Sequence, residues 1–141
     1  MKCPVSIVGM LCLITVASSA QVGSHGKRYP LPSDARIAVG QRVIDKSADD
    51  ETADSCRTYR ATSRQVRHYF RTYKVVEGEE YHSMYIWLPC SIEGTVTVQG
   101  KTYWWSVNPG NTMGTNWPDG KGKTLGGKYS DDPSEGESRK Q

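Results

Sequence analysis

The sequence predicts an α+β domain in which an antiparallel sheet of about four to five strands packs against one helix and carries one disulfide. Three observations support this prediction. Two β-rich runs flank Gln99-Gly100, an amphipathic helix pattern begins at Thr62, and Cys56 and Cys90 remain as a pair outside the apolar N-terminal segment. Without the apolar N-terminal segment, residues 1–20, the chain has 141 − 20 = 121 residues, a length that favours a single domain.

The N-terminal segment has the features of a secretory signal peptide. Residues 1–20 carry the basic Lys2, an apolar run and the small residues Ser18-Ser19-Ala20. The apolar run is too short to span a bilayer, and small residues are typical of a cleavage site. We expect cleavage before Gln21 and a location in the periplasm or outside the cell. A buried N-terminal helix is the alternative.

The rest of the chain divides by composition. Residues 21–34 are polar and contain Gly, Ser and Pro, which predicts a flexible arm. Residues 35–129 form the predicted single α+β domain. Residues 130–141 are charged and polar, which predicts a disordered tail.

Charge and histidine content argue against several functional classes. The formal charge of +3 falls to 3 − 1 = +2 without Lys2, a near-balance that is unlike a dedicated nucleic-acid binder. No later segment is apolar enough to predict a membrane span. The three histidines, His25, His68 and His82, lack the spacing of metal ligands. The sequence therefore predicts no metal and no cofactor, and it leaves the oligomeric state open.

The cysteines predict one disulfide. Of the four in the chain, Cys3 and Cys12 lie in the predicted signal peptide. Two cysteines that remain in an exported protein are expected to pair, which predicts a bond between Cys56 and Cys90. A redox-active or nucleophilic cysteine is the alternative, but no C-x-x-C motif supports it.

Residues before the helix predict one strand and one loop. Arg36 to Ile44 is predicted to be a first strand, broken or bulged at Gly40. Lys46 to Ser55 is acidic and lacks large apolar residues, so we expect a solvated loop. A calcium loop would need ligands at fixed spacing and a turn glycine, and neither is present.

A helix is predicted at about residues 62–75. Thr62 and Gln65 match the capping box. A single apolar stripe follows at helical spacing, which predicts that one face is core: Val66, Tyr69, Phe70 and Tyr73. The opposite face is basic and is either a solvated surface or a docking surface for an acidic partner; it carries Arg64, Arg67, His68, Arg71 and Lys74.

Strand patterns follow the helix. Met84 to Leu88 alternates in large apolar residues, which predicts a central strand that ends at Pro89. Beyond it, Gln99-Gly100 predicts a type I′ turn in a hairpin that pairs Gly94 with Trp105. The predicted core face of this hairpin consists of Ile92, Val96, Val98, Tyr103, Trp105 and Val107.

Trp104 lies on the opposite, threonine-rich face of the predicted hairpin. There it is either covered by the helix or exposed to a partner. Beyond the hairpin the chain is rich in glycine, and two turns are predicted, at Asn108-Pro109-Gly110-Asn111 and at Trp117-Pro118-Asp119-Gly120. A short strand is predicted near Lys123 to Leu125.

Spaced residues between about 55 and 107 resemble a known pattern. They are Cys56-x-x-Tyr59, Thr62-x-x-x-Val66-x-x-Tyr69-Phe70, Tyr85-x-Trp87-x-Pro89-Cys90-x-x-Glu93-Gly94 and Gly100-x-x-x-x-Trp105. This pattern is similar to small exported proteins of Gram-negative bacteria, some of which are periplasmic immunity proteins to secreted effectors. The resemblance implies a role in immunity and identifies no active site.

We therefore expect a non-enzymatic periplasmic protein that binds and blocks a toxin or hydrolase. The candidate residues for binding the protein partner are Trp104, Trp117, Arg64, Arg67 and Arg71. One alternative is an envelope structural or carbohydrate-binding module, with Trp104 and Trp117 as stacking platforms. A second is a small cell-wall hydrolase, for which Tyr81-His82 beside Glu79 and Glu80 is the best catalytic candidate.

Overall fold

The computed structural model describes residues 25–128, in which six antiparallel strands form one sheet and three helices accompany it. The strands are β1 (Arg36–Ile44), β2 (Lys74–Val75), β3 (Cys90–Val98), β4 (Lys101–Asn108), β5 (Thr112–Thr115) and β6 (Lys123–Gly126). The helices are α1 (Asp50–Arg57), α2 (Ser63–Thr72) and α3 (Gly78–Met84).

Spatially, the strands lie in the order β1-β3-β4-β5-β6-β2. The predicted α+β class and the Cys56–Cys90 disulfide are confirmed, whereas the sheet has more strands, and the domain more helices, than predicted. The predicted signal peptide, 1–20, and the predicted tail, 130–141, lie outside the described residues. Within residues 25–128, no helix has the length and apolar character needed to cross a membrane.

The β3–β4 hairpin has the predicted register. Gly94 pairs with Trp105 and Val98 with Lys101, and the two turn residues have φ values of 49° and 76°. Both values are positive, as a type I′ turn requires. A Cβ atom on Gly94 would lie 2.3 Å from a ring carbon of Trp105, so this indole packs directly over a residue without a side chain.

Helix α2 covers one face of the sheet. Its capping box is formed, since Thr62 Oγ1 accepts from the Gln65 amide at 3.2 Å and Gln65 Oε1 accepts from the Thr62 amide at 2.8 Å. The predicted core stripe is confirmed, because these four side chains are buried: Val66, Tyr69, Phe70 and Tyr73. They share one cluster with Val96, Trp105 and Met113 of the sheet.

The helix ends earlier than predicted. Its last residue is Thr72, and Tyr73 adopts an extended conformation with φ −70° and ψ 147°. Lys74 and Val75 then form β2 and pair with β6. Hydrogen bonding to the sheet edge has therefore replaced the final helical turn.

Strand β1 carries the predicted bulge. Its register against β3 shifts between Val39 and Arg42. A Cβ on Gly40 would lie 2.7 Å from the Glu93 carbonyl oxygen, so the two backbones approach closely there. The short strand predicted near Lys123 to Leu125 is also confirmed, as β6, and β5 is an additional strand.

Two predictions of local structure are wrong. Met84 to Leu88 is not a central strand, because β1 and β4 already occupy both sides of β3; α3 ends at Met84, and residues 85–89 continue without regular secondary structure. The acidic stretch from Lys46 to Ser55 is not wholly a loop. Asp49 caps α1 by accepting from the Thr52 amide at 2.8 Å.

Residues 25–34, the described part of the predicted arm, lie against the domain. The Gly26 amide donates to the Val75 carbonyl at 2.8 Å, and the Val75 amide donates to the Lys27 carbonyl at 2.9 Å. Tyr29 and Leu31 pack against the core. This segment thus adds backbone hydrogen bonds to β2.

The sheet has two different surfaces, which we call the core face and the outer face. The core face packs against α2. The outer face holds the side chains that alternate with the core residues along each strand, and many are small and polar: Ser91, Glu93, Thr95, Thr97, Thr102, Trp104, Ser106, Gly114 and Thr124. Residues 85–89 and α3 cover only part of it.

Candidate functional site

A groove of about 310 Å³ lies on the outer face, between the strands and residues 81–90. Its floor is made of small residues from four neighbouring strands, namely Ser91, Ser106, Gly114 and Thr124. Its wall is made of Tyr81, Trp87, Leu88 and Pro89. The groove exists because the floor residues are small and the wall residues are large.

The wall is held through its backbone. Asn108 Nδ2 donates to the carbonyl oxygens of Leu88 and Cys90 at 2.6 and 2.7 Å, and the Asp45 amide donates to the Pro89 carbonyl at 2.7 Å. The disulfide to Cys56 fixes the same corner. Because these contacts use main-chain atoms, the side chain of Trp87 is left 62 % exposed.

The N-terminal part of the segment 85–89 packs against Gly110 and Gly126. A Cβ on Gly110 would lie 1.8 Å from the Ile86 carbonyl oxygen, and one on Gly126 would lie 2.4 Å from the Tyr85 ring. The segment therefore sits directly on glycine positions of the sheet and its turn. Met84 and Ile86 remain exposed beside Trp87.

Trp104 is exposed and is not covered by the helix. Its side chain is 45 % accessible and lies over Gly114, where a Cβ would be 3.0 Å from the ring. Its backbone is fixed by Asn116 Oδ1, which accepts from the Trp104 amide at 2.8 Å, and by Thr115 Oγ1, which donates to the Trp104 carbonyl at 2.9 Å. Trp104 therefore borders the groove at Gly114.

Trp117 does not share this surface. It is half-buried and packs edge-on against Tyr103 of the core face, with ring centroids 5.0 Å apart. Its Nε1 atom is buried and has no hydrogen-bond partner among the described residues. The second exposed indole on the outer face is Trp87. This exposure cannot be read from the sequence, because Trp87 belongs to an apolar alternation that predicts a buried strand.

The three candidate arginines lie on α2, on the other side of the molecule from the groove. Arg64 and Arg71 are exposed, and Arg71 Nη2 lies 3.1 Å from His68 Nδ1. Arg67 is half-buried and donates to the carbonyl oxygens of Pro32 and Ala35 at 3.0 and 2.5 Å. The basic face of the helix predicts that Arg67 is exposed, and this prediction is wrong. The Arg67 side chain instead connects residues 32–35 to the helix.

The catalytic candidate lies on α3, which buries none of its side chains. The Tyr81 and His82 rings contact each other edge-on with centroids 5.3 Å apart, and Glu80 Oε2 lies 3.4 Å from His25 Nε2 at the surface. Among residues 25–128 there is no group of three or more side chains that could hold a metal ion. The structure places these residues together on a surface helix, where Tyr81 lines the groove and where Tyr81 and His82 border a second cavity of about 370 Å³.

Asp45 is the charged residue at the edge of the groove. The hydroxyl and the amide of Ser47 donate to its Oδ1 at 2.7 and 2.8 Å. These hydrogen bonds, that from the side chain first, lower the pKa of Asp45 below its ordinary value, so this carboxylate is ionised at neutral pH.

No protein-family model matches this sequence, and no curated protein or solved structure is significantly similar to it.

Proposed function

We propose that the protein binds and inhibits a toxin or a hydrolase outside the cytoplasm, without catalytic activity of its own, and that the partner covers the outer face. One observation carries this proposal. Trp87 and Trp104 are both exposed on the surface that α2 leaves open. Tryptophan is among the residues that most often anchor protein interfaces.

The disulfide supports a location outside the cytoplasm. Cys56 and Cys90 are both buried and are bonded to each other. Such bonds persist in the periplasm and outside the cell and are rare in the cytosol. The signal peptide predicted at residues 1–20 agrees with this location.

The outer face also carries a wall that is held in place before any partner binds. The wall of the groove is anchored through its backbone at Leu88, Pro89 and Cys90. A surface that is ordered before binding loses less conformational entropy on association.

The test uses the Trp104→Ala variant. A partner is first captured from the producing strain, identified and purified, and its dissociation constant is then measured with both forms of the protein. We expect a loss of affinity of at least about 2 kcal/mol, the size typical of a hot-spot residue, with the melting temperature unchanged because Trp104 is not part of the core. The purified partner, if it is a toxin or hydrolase, should also lose activity on binding.

Val39→Ala is the matched control, because Val39 is also a large apolar residue that is 41 % exposed, but it lies on β1. It should leave the affinity unchanged. Unchanged affinity in Trp104→Ala would contradict the proposal and would leave the basic surface at Arg64 and Arg71 as the docking candidate.

A further inference from the structure

We propose that the groove on the outer face is a binding site for a neutral, unbranched oligosaccharide, with Trp87 and Trp104 as the two stacking platforms. This inference goes beyond the inhibition of a protein partner. It rests on the proposed function only in that both place the ligand on the outer face. It assigns the groove a ligand of its own.

The platforms are two indole rings that face solvent. Trp87 belongs to the wall of the groove, and Trp104 lies over Gly114 of its floor. The C–H-rich face of a sugar ring packs on an aromatic ring, while its hydroxyl groups stay available for polar contacts. An exposed Trp therefore matches both properties of a sugar.

The floor offers hydroxyl groups that are not otherwise used. Ser91, Ser106 and Thr124 line the groove, and none of their side chains makes a hydrogen bond to another residue in the described range 25–128. In contrast, both polar atoms of the Asn108 side chain already form hydrogen bonds within the protein. Nδ2 donates to the Leu88 and Cys90 carbonyl oxygens, and Oδ1 accepts from the Gly110 amide at 2.9 Å. Small hydroxyl groups that can both donate and accept suit the hydroxyl groups of a sugar.

The charge of the groove selects a neutral ligand. Asp45 is the only charged side chain among the described residues that line it. Glu93, which is exposed, pairs with the floor residue Ser106 across the β3–β4 ladder. Both charges are negative, so an anionic polysaccharide would be repelled whereas a neutral one can donate hydroxyl hydrogen bonds to these carboxylates.

The two platforms lie at different parts of the outer face. Trp104 precedes Asn108 by 108 − 104 = 4 residues on β4, which corresponds to roughly 14 Å along the strand, and Asn108 lines the groove together with Trp87. A ligand that contacts both rings has to extend along β4, as an oligosaccharide chain can.

The test titrates the protein with cellohexaose and with chitohexaose in a calorimeter, and with a polygalacturonate oligomer as the anionic probe. We expect saturable binding of at least one neutral probe and weaker binding of the anionic one. Trp87→Ala and Trp104→Ala should each weaken binding about tenfold, since a stacked aromatic contributes roughly that factor.

Two further variants make the result decisive. Val39→Ala, a loss of exposed apolar surface elsewhere, should leave sugar binding unchanged. Ser106→Val removes a floor hydroxyl without touching either indole, and it should also weaken binding. The inference is overturned if neither neutral probe binds, if the anionic probe binds more tightly, or if the folded Trp87→Ala and Ser106→Val variants bind as the wild type does.

This outcome is separable from that of the proposed function. Sugar binding is measured with the isolated protein, whereas inhibition is measured with the purified protein partner. A protein that binds the partner but no sugar keeps the proposed function and loses this inference. A protein that binds sugar but no partner keeps this inference and loses the proposed function.

Discussion

Arg67 illustrates how one side chain can differ from its neighbours on the same helix face. The basic stripe of α2 predicts three equivalent exposed arginines, and Arg64 and Arg71 are indeed exposed. Arg67 instead reaches two backbone carbonyl oxygens, those of Pro32 and Ala35. Sequence periodicity identifies the face of a helix, but it cannot identify a distant segment that folds back over that face.

We therefore expect Arg67→Ala to destabilise the fold by about 1–2 kcal/mol, because a charged donor would be lost from two carbonyl groups that it now satisfies. Arg64→Ala, on the same face but exposed, should change stability by no more than about 0.5 kcal/mol. Urea unfolding of both variants measures the difference. Equal and small effects would show that the Arg67 contacts contribute nothing to stability.

The tryptophans show how far a binding surface can be predicted from sequence. The position of Trp104 follows from the hairpin register, and the outer face on which it lies is the one predicted. Trp87 was not predicted to be exposed, since apolar alternation has the same form whether side chains pack in a core or face solvent. Trp117 is, like Trp104, a predicted candidate for binding a partner, and its edge-on contact with Tyr103 places it beside the core face.

Helix α2 contributes an aromatic ring, Phe70, to the core from outside the sheet. Phe70 is fully buried and lies in one cluster with Val96, Trp105 and Leu125. Phe70→Ala should cost about 3–5 kcal/mol, because it removes a buried aromatic ring and leaves a cavity. Arg71→Ala, one residue further along the helix and exposed, is the control and should cost no more than about 0.5 kcal/mol. Thermal unfolding of the two variants tests the assignment, and similar destabilisation by both would refute it.

The hairpin and α2 were predicted from local patterns, whereas β5 and α1 were not predicted, and the alternation from Met84 to Leu88 predicts a strand that does not form. The hairpin is encoded within one short stretch by its alternating residues and by Gln99-Gly100. The helix is encoded by its cap and its apolar stripe. Strand β5 (Thr112–Thr115) has no such local pattern. It forms by pairing with β4 on one side and β6 on the other. Helix α1 buries only Cys56, so no apolar stripe marks it.

At the scale of the whole molecule, the two faces of the sheet differ in what they contact. The core face is closed by α2, whereas the outer face is only partly covered by α3 and residues 85–89. Because α2 covers only the core face, the domain has a buried core on that side, and the outer face remains available for binding. The exposed apolar residues near the groove, Met84, Ile86, Trp87 and Trp104, are consistent with this division.

The disulfide connects helix α1 to the sheet. It joins the end of α1 to the first residue of β3 across a sequence separation of 34 residues. A loop of this length restricts the unfolded chain by roughly 3–4 kcal/mol in the chain-entropy model. The Cys56→Ala/Cys90→Ala double variant should therefore melt at a clearly lower temperature than the oxidised wild type.

Thiol titration of the denatured mature protein should find no free thiol, and reduction should release two. Free thiols in the unreduced protein would contradict the bond. The reduced wild type should melt near the double variant, which separates loss of the bond from an effect of the substitutions.

The order of the strands also affects when the domain can fold. β6 is the last strand in the described chain, but it lies inside the sheet, where it pairs with both β5 and β2. Val75 of β2 pairs with Leu125, 125 − 75 = 50 residues later. A nascent chain that ends before β6 therefore lacks the strand that joins β2 to the rest, and such distant pairings form slowly. The six-stranded sheet is therefore completed only after β6 has been synthesised.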